Sequence, residues 1–290
     1  PWLEHALEEE GAICVCAELT ASLGLGAPAH LQPIGGVSGL LVLPIDRATI
    51  SLVWSDRGYP SAGPYRDYHH HTIHQHKPWA NDGSAYDHAR AVSLAREHAT
   101  DFVAHVRERL RRAAADAAGP LPGGGLVVCA LDTELLGHWW YEGPVWLAAV
   151  IEEATRQGLE LVRLDDARAL AADARPIRDL PVSTWGTGED LSTWSGPAVA
   201  DIAFAARRAE LALLHLGRHA SGPAARELLA LQSSDWAFMV SRGIAAPYAR
   251  ERFLGHLQAF EAALDGSARP GAGELRNLAV DVQLEALLGP

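Results

Sequence analysis

The chain has 290 residues, 48% of them hydrophobic and 21% charged, which suits one large or two modest globular domains and excludes a disordered or fibrous chain. Lys and Arg total 24 against 36 Asp and Glu, a formal charge of −12, so a nucleic-acid or anionic-membrane partner, which needs a basic footprint, is not expected. No apolar run reaches the roughly 20 residues that span a bilayer. The three cysteines, Cys14, Cys16 and Cys129, cannot make a disulfide framework, and no signal peptide is legible, so a reducing cytoplasm is the expected compartment.

The chain opens at Pro1-Trp2-Leu3-Glu4, without methionine and straight into a helical pattern, and is expected to be cut through the middle of a domain. After a helix near Leu3 to Glu10, short strands are predicted near Ile13 to Ala17, Leu40 to Leu43 and Thr49 to Val53, with Gly35-Gly36 as turn chemistry. Cys14 and Cys16 alternate with Ile13, Val15 and Ala17, which favours a buried strand over a metal pair. Residues 54 to 84 lack periodicity but carry Trp54, Tyr59, Tyr65, Tyr68 and Trp79, too many aromatics for a linker; a lid or subsite loop is expected. A long amphipathic helix follows over Ala85 to Ala117, ended by Gly119-Pro120 and Pro122-Gly123-Gly124-Gly125.

Leu126 to Leu131 reads as a parallel strand buried on both faces, with Asp132 at its exit; a helix over Pro144 to Gly158 and a strand over Leu159 to Leu164 come next. Strand and helix alternate as in an α/β barrel, where catalytic groups sit at the carboxyl ends of strands. After Leu180-Pro181 the pattern turns helical: Pro197 to Arg218, Pro223 to Val240, Pro247 to Leu264 and Leu275 to Leu288. The fold class expected is α/β, a partial barrel over residues 1–181 followed by an all-α domain over 182–290.

The densest chemistry lies at Asp132-Thr133-Glu134-Leu135-Leu136-Gly137-His138-Trp139-Trp140-Tyr141-Glu142-Gly143-Pro144. An acid leaving a strand beside a histidine and three aromatics suits a sugar site, since aromatic faces stack on pyranose rings while carboxylates serve the glycosidic oxygen; the plainer alternative for Asp132 is a helix cap. Glycoside hydrolysis needs a second carboxylate, and Glu134 and Glu142 are better read as positioning loops or sugar hydroxyls than as that partner. The loop histidines His69, His70, His71, His74 and His76 lack a metal-site spacing, and His98 reads as a hydrogen-bonded core residue. No phosphate loop and no Gly-x-Ser-x-Gly elbow occur.

The Asp132 to Pro144 segment resembles the fourth conserved region of glycoside hydrolase family 57 in its α-1,4-glucan branching-enzyme subgroup. Trp54-Ser55-Asp56-Arg57-Gly58-Tyr59-Pro60 is similar to that subgroup's flexible loop, Ser183-Thr184-Trp185-Gly186 with Trp194 to its pair of substrate-facing tryptophans, and Leu231-Gln232-Ser233-Ser234-Asp235-Trp236-Ala237-Phe238 to its C-terminal helical signature. The resemblance implies an incomplete (β/α)7 barrel running a retaining transfer of an α-1,4-glucan segment to a 6-hydroxyl. Asp132 would be the general acid/base, Tyr59 the lid, and Trp79, His138, Trp139, Trp140, Trp185, Trp194 and Trp236 the glucan contacts, with no metal or organic cofactor. The family's nucleophile, a glutamate in a Trp-x-x-Glu-Cys motif, would precede Pro1, so this piece alone is expected not to turn over. The competing readings are a 4-α-glucanotransferase or α-amylase of the same family, a non-catalytic glucan-binding remnant, and a histidine-loop metalloenzyme.

Overall fold

The computed structural model describes residues 3–35, 39–116, 125–171, 175–176, 180–267, 275 and 278–284. The chain divides into two compact units, Pro1–Ser183 and Thr184–Pro290. Pro1-Trp2, Gly36 and the helix-ending residues from Gly119 to Gly124 lie outside the described residues.

The first unit opens with α1 (Leu3–Glu9), β1 (Cys14–Ala17) and a single turn, α2 (Thr20–Leu23). Then come β2 (Ile34–Gly35), β3 (Leu41–Pro44), the short α3 (Arg47–Ile50), α4 (His88–Asp116), α5 (Gly143–Gln157) and β4 (Arg175–Pro176). The sheet order is β1-β3-β2-β4, with β1–β3 and β2–β4 parallel and β2–β3 antiparallel. This is a mixed, helix-rich α/β unit, and the antiparallel pair departs from the all-parallel pattern expected of a barrel. β3 is buried throughout, but β1 at the sheet edge is only half-buried, correcting the expectation of a buried strand at Cys14 and Cys16.

Three further strand expectations are corrected. Thr49 to Val53 is not a strand: the Asp46 carbonyl accepts the amides of Thr49 and Ile50, the Thr49 hydroxyl donates to Asp46 Oδ2 at 2.6 Å, and Ile50 and Val53 share one buried face at helical spacing. The Leu126 to Leu131 run is not a strand and is largely half-buried; among the described residues it joins the sheet through the parallel bridge Ile45–Val128 and the Asp46 amide on the Val128 carbonyl. Leu159 to Leu164 forms no strand. It lines a cleft of about 290 Å³ together with residues 125–129, and Leu161, Val162 and Leu164 are exposed.

The core of this unit is the α4–α5 pair. Ala91, Ala95, Ala99, Phe102, Val103 and Val106 bury one stripe of α4 against Trp146, Val150 and Ala154 of α5, and the Phe102 and Trp146 rings meet edge-on at 5.2 Å. Pro144 opens α5 in its first turn, and Gly158 closes it in the left-handed region at φ 69°. The 54–84 loop folds onto this core through Tyr65, with Tyr59 and Ala62 packed against it, and carries the antiparallel bridges Arg66–Ala80 and Trp79–Ala85.

The second unit contains α6 (Ser192–Ser195), α7 (Ala200–Leu216), α8 (Gly222–Leu231), α9 (Ser234–Ser241) and α10 (Ala246–Leu264). The single helix expected over Pro223 to Val240 is two helices, because the chain turns at Gln232-Ser233, where Ser233 is extended at ψ 125°. Residues 278–281 of the expected last helix form turns with Ala279 at φ 45°, and residues 285–288 lie outside the described residues. Ile202, Leu213, Leu228, Leu231, Phe253 and Phe260 form the core. Within it His256 Nδ1 lies 2.8 Å from Glu227 Oε2, and both side chains are buried. Among the described residues no helix is long and apolar enough to cross a membrane.

Candidate active site

Three carboxylates follow parallel-aligned segments of the first unit: Glu18 after β1, Asp46 after β3 and Asp132 after the Val128 bridge. Glu18 is buried, accepts from the Thr20 amide at 2.9 Å and hydroxyl at 2.5 Å, and lies 3.1 Å from Arg47 Nε. Asp46 is fully buried and doubly bonded by Arg109, whose Nε and Nη2 each lie 2.8 Å away. Burial works to raise its pKa, but the Arg109 and Thr49 hydrogen bonds outweigh that and hold the carboxyl below the usual carboxylate range. Both are committed to structure. Asp132 alone is exposed, and its side chain makes no hydrogen bond or ion pair among the described residues.

Asp132 stands at the N-cap position of the 3-10 turn Thr133–Leu135, yet its side chain makes no capping hydrogen bond; only its carbonyl takes part, accepting the Leu135 amide. The simple capping role therefore lacks its defining contact. The turn continues into a tightly self-bonded loop. Gly137 sits at φ 98°, its amide donates to the Trp140 carbonyl at 2.8 Å, and Gly143 packs so near Leu136 that a Cβ would meet the Leu136 Cα at 2.8 Å.

That loop sends neighbouring indoles in opposite directions. Trp139 is 41% exposed, whereas Trp140 is 1% exposed, between Tyr65 at 5.2 Å and Trp146 at 5.3 Å. Trp140 is thus a core residue and cannot offer a face to a ligand, which corrects its assignment as a glucan contact. Glu134 and Glu142 serve their neighbours: Glu134 Oε1 accepts from Trp139 Nε1 at 3.2 Å, and Glu142, 1% exposed, accepts from the Arg66 amide at 3.2 Å and the Tyr86 hydroxyl at 2.8 Å. Burial and the Glu142 contact raise the Tyr86 pKa, so its phenol stays the donor.

His138 and Trp139 meet the aromatic loop. The Tyr68 hydroxyl lies 2.9 Å from His138 Nε2, its ring is 4.4 Å from that of Trp139, and Lys77 Nζ sits 3.7 Å from its centroid. Beside this cluster runs a groove of about 690 Å³ lined by Trp54, Asp56, Arg66, Tyr68, Asn81 and Trp139, among others. Its volume lies within the roughly 300–1,000 Å³ of small-molecule clefts. Asp132 does not line it; Leu135, three residues on, does. Tyr68, Trp54 and Asn81 went unassigned in the sequence, where the only signal was the aromatic density of the loop.

Tyr59 lies apart from this groove, in the turn Tyr59–Ser61 packed against α4. Its hydroxyl donates to Asp101 Oδ2 at 2.6 Å, and its ring stacks on His98 at 4.5 Å. Burial, reinforced by Asp101, raises its pKa strongly. His98 is the hydrogen-bonded packing residue expected, 2.8 Å from the Tyr65 hydroxyl, and burial lowers its pKa. Trp79 is half-buried, and its carbonyl accepts the Asp67 amide. Of the loop histidines, His70 Nδ1 lies 2.5 Å from Asp67 Oδ2, and no group of three or more metal-ligating residues occurs among the described residues.

In the second unit Trp185 and Trp194 are half-buried. Gly186 is required between them, since a Cβ there would meet Trp194 Cζ3 at 2.8 Å and Thr193 Oγ1 at 2.6 Å. Trp236 packs the bundle: its Nε1 donates to the Ala230 carbonyl at 2.8 Å and its ring lies 6.1 Å from His256.

Residues 201–278 match the family described as 1,4-alpha-glucan branching enzyme, C-terminal. A probable 1,4-alpha-glucan branching enzyme of Mycobacterium tuberculosis is 36% identical over 71% of this chain and 43% of its own length. The 1,4-alpha-glucan branching enzyme of Thermococcus kodakarensis is 32% identical over 77% and 35%. The chain thus spans less than half of the curated relatives it matches. Among solved structures, a GH57-type branching enzyme from Pyrococcus horikoshii superposes with a TM-score of 0.83 at 27% identity, covering 97% of this chain and 57% of that one. The T. kodakarensis enzyme, crystallised with glucose, gives 0.81 at 27%, covering 99% and 58%.

Proposed function

We propose that this chain, a relative of the glycoside hydrolase family 57 branching enzymes, forms the acid/base half of an α-1,4-glucan branching enzyme. The finer fold this implies is part of an incomplete (β/α)7 barrel followed by a helical domain. In this reading Asp132 protonates the glycosidic oxygen as the donor bond breaks, then takes the proton of the acceptor 6-hydroxyl. The observation that carries the reading is the state of Asp132: it is the exposed carboxylate at a strand-like exit where Glu18 and Asp46 are tied up. A retaining mechanism also needs a nucleophilic carboxylate about 5–5.5 Å from the acid. Neither Glu134 nor Glu142 suits that role, one holding Trp139 and the other buried beneath the loop; the family resemblance implies a glutamate in a Trp-x-x-Glu-Cys motif, and this sequence contains no such motif.

Tyr59 fits a lid in this scheme only if it leaves Asp101, because the latched phenol lies against α4. Trp139 and His138 are the proposed glucan contacts of the first unit, Trp185 and Trp194 those of the second, and Trp79 is a lesser candidate. Linkage analysis of products tests the assignment. The full-length enzyme containing this chain should convert amylose to a polymer with new α-1,6 linkages; elongated or shortened α-1,4 chains without branches would identify a glucanotransferase or amylase. Turnover by the 290-residue chain alone would overturn the missing-carboxylate argument.

A further inference from the structure

Beside the exit of β3 lies a buried histidine that the proposed chemistry does not use. His30, 1% exposed in the 3-10 turn Pro28–Leu31, places Nδ1 3.1 Å from the Ile45 carbonyl oxygen and Nε2 3.1 Å from the Gly24 carbonyl oxygen. A carbonyl oxygen only accepts, and a neutral imidazole carries one N–H. Both contacts are hydrogen bonds only when the ring holds a proton on each nitrogen. In the neutral ring one nitrogen lone pair would face carbonyl lone pairs, a buried and repulsive contact.

The surroundings suit a cation that holds a loop. Of the segments packed on the turn, β3 leads into Asp46, which is within electrostatic reach of the ring, and α4 brings Arg109. The Gly24–Ala27 loop and residues 126–127 carry no titratable side chain. Arg109 bonds Asp46 and also donates from Nη1 to the Gly26 carbonyl at 2.9 Å and from Nη2 to the Ala27 carbonyl at 3.2 Å. Gly24 and Gly26 adopt φ 88° and 75°, and Leu25, the largest side chain of the loop, is 69% exposed. Packing therefore contributes little to the position of this segment. Its anchors are carbonyls on two buried cations, Gly24 on His30 and Gly26 and Ala27 on Arg109.

We propose that His30 is a proton-dependent strap: its doubly protonated ring ties the Gly24–Ala27 loop to Ile45 just past β3, and loss of the Nε2 proton to solvent releases the Gly24 end. Nε2 is the nitrogen that gives up its proton because its partner lies between two glycines' worth of free backbone and can move away from a bare lone pair. Ile45 cannot, being buried and bridged to Val128. The guanidinium of Arg109 stays charged and keeps Gly26 and Ala27, so the release is local to Gly24. The device belongs to the scaffold and stands whatever ligand the chain takes.

The test is histidine ring ¹⁵N NMR with amide hydrogen exchange on the 290-residue chain from about pH 5 to 8.5, the range in which imidazoles titrate. The His30 ring signals are assigned through bonds from its own backbone. At the acid end both ring nitrogens should carry protons; as pH rises Nε2 should lose its proton while Nδ1 keeps one. Over the same midpoint, exchange of the Gly24 and Ala27 amides, corrected for its intrinsic pH dependence, should rise about tenfold. His30→Gln should show the faster exchange at every pH, whereas His98→Gln should leave the wild-type pH dependence intact. A His30 ring with a single N–H across the whole range overturns the strap. A ring that keeps both protons to the alkaline end, or that loses the Nδ1 proton first, overturns the release. Loop exchange that stays flat while Nε2 titrates overturns the coupling. All three of these outcomes are read on the wild-type chain and hold even if His30→Gln does not fold.

Discussion

Tyr59 is latched to Asp101: the phenol donates to Oδ2 at 2.6 Å, and the ring is held flat against His98. A charge-assisted bond of this kind contributes about 1.5–3 kcal/mol, which makes Asp101 the restraint that any closing movement of the loop must break. Asp101→Ala should raise amide hydrogen exchange over residues 54–62 by about tenfold, corresponding to ~1.4 kcal/mol. Unchanged exchange would show that packing on His98 alone fixes the segment. On the proposed function, Tyr59→Ala should lower transfer more than hydrolysis, the pattern of a lid group that keeps water away from the intermediate.

Asp132→Asn separates chemistry from stability. The side chain is exposed and unbonded among the described residues, so the change in unfolding free energy should stay within about 0.5 kcal/mol. On the proposed function, the same change should cost the branching reaction about 10²–10⁴ in transfer rate, as removal of a general acid/base does. Thermal melts and product assays on the same preparation check both; a large drop in melting temperature would instead assign Asp132 a structural role.

The Asp46–Arg109 pair predicts the reverse pattern. Arg109→Met leaves a fully buried carboxylate without its bidentate partner and should cost about 3–5 kcal/mol. Adding Asp46→Leu to that variant should recover much of the loss, because the stranded charge is then gone. A denaturant series on both single variants and the double variant measures the coupling. The same carboxyl is held below its unfolded pKa. Its stabilising contribution is therefore present above about pH 4 and is lost as pH falls through the lower, folded value.

His98 supplies a second pH dependence in a milder range. Burial lowers its folded pKa, so the unfolded chain binds the proton first as pH drops. Stability should be complete above about pH 6.5 and decline below it as pH approaches the folded pKa. His98→Gln keeps an acceptor for the Tyr65 hydroxyl and should flatten the melting-temperature profile between pH 7 and 5; an identical profile would remove His98 as the cause.

The α4, α5, α7 and α10 helices were legible because their apolar residues repeat at helical spacing and their ends carry Pro144, Gly158 or Pro247. The short apolar runs were not. Thr49 to Val53 and Leu159 to Leu164 have strand composition, but a strand exists only where a neighbour completes its ladder. Asp46 offered the first run a helical turn instead, and the second has a cleft beside it. At the site, the position of Asp132 after an apolar run was visible in the sequence, while its freedom from a capping bond was not. Trp139 and Trp140 are indistinguishable in sequence, and only the turn at Gly137 decides which indole is buried. Tyr68 was legible only as one aromatic of the 54–84 loop; its partners lie up to 71 residues away, a juxtaposition that no local pattern encodes.

The opposed indoles of Trp139 and Trp140 make two properties separately tunable along a single peptide bond. Substitutions at the outward position should sort by what they do to ligand preference, with Phe and Tyr accepted at little thermal penalty, whereas the inward position should tolerate almost nothing. A one-residue insertion or deletion between Gly137 and Trp139 would exchange their environments and forfeit both at once. In a deep mutational scan this stretch should stand out as tolerant of side-chain change at Trp139 but intolerant of any change in length.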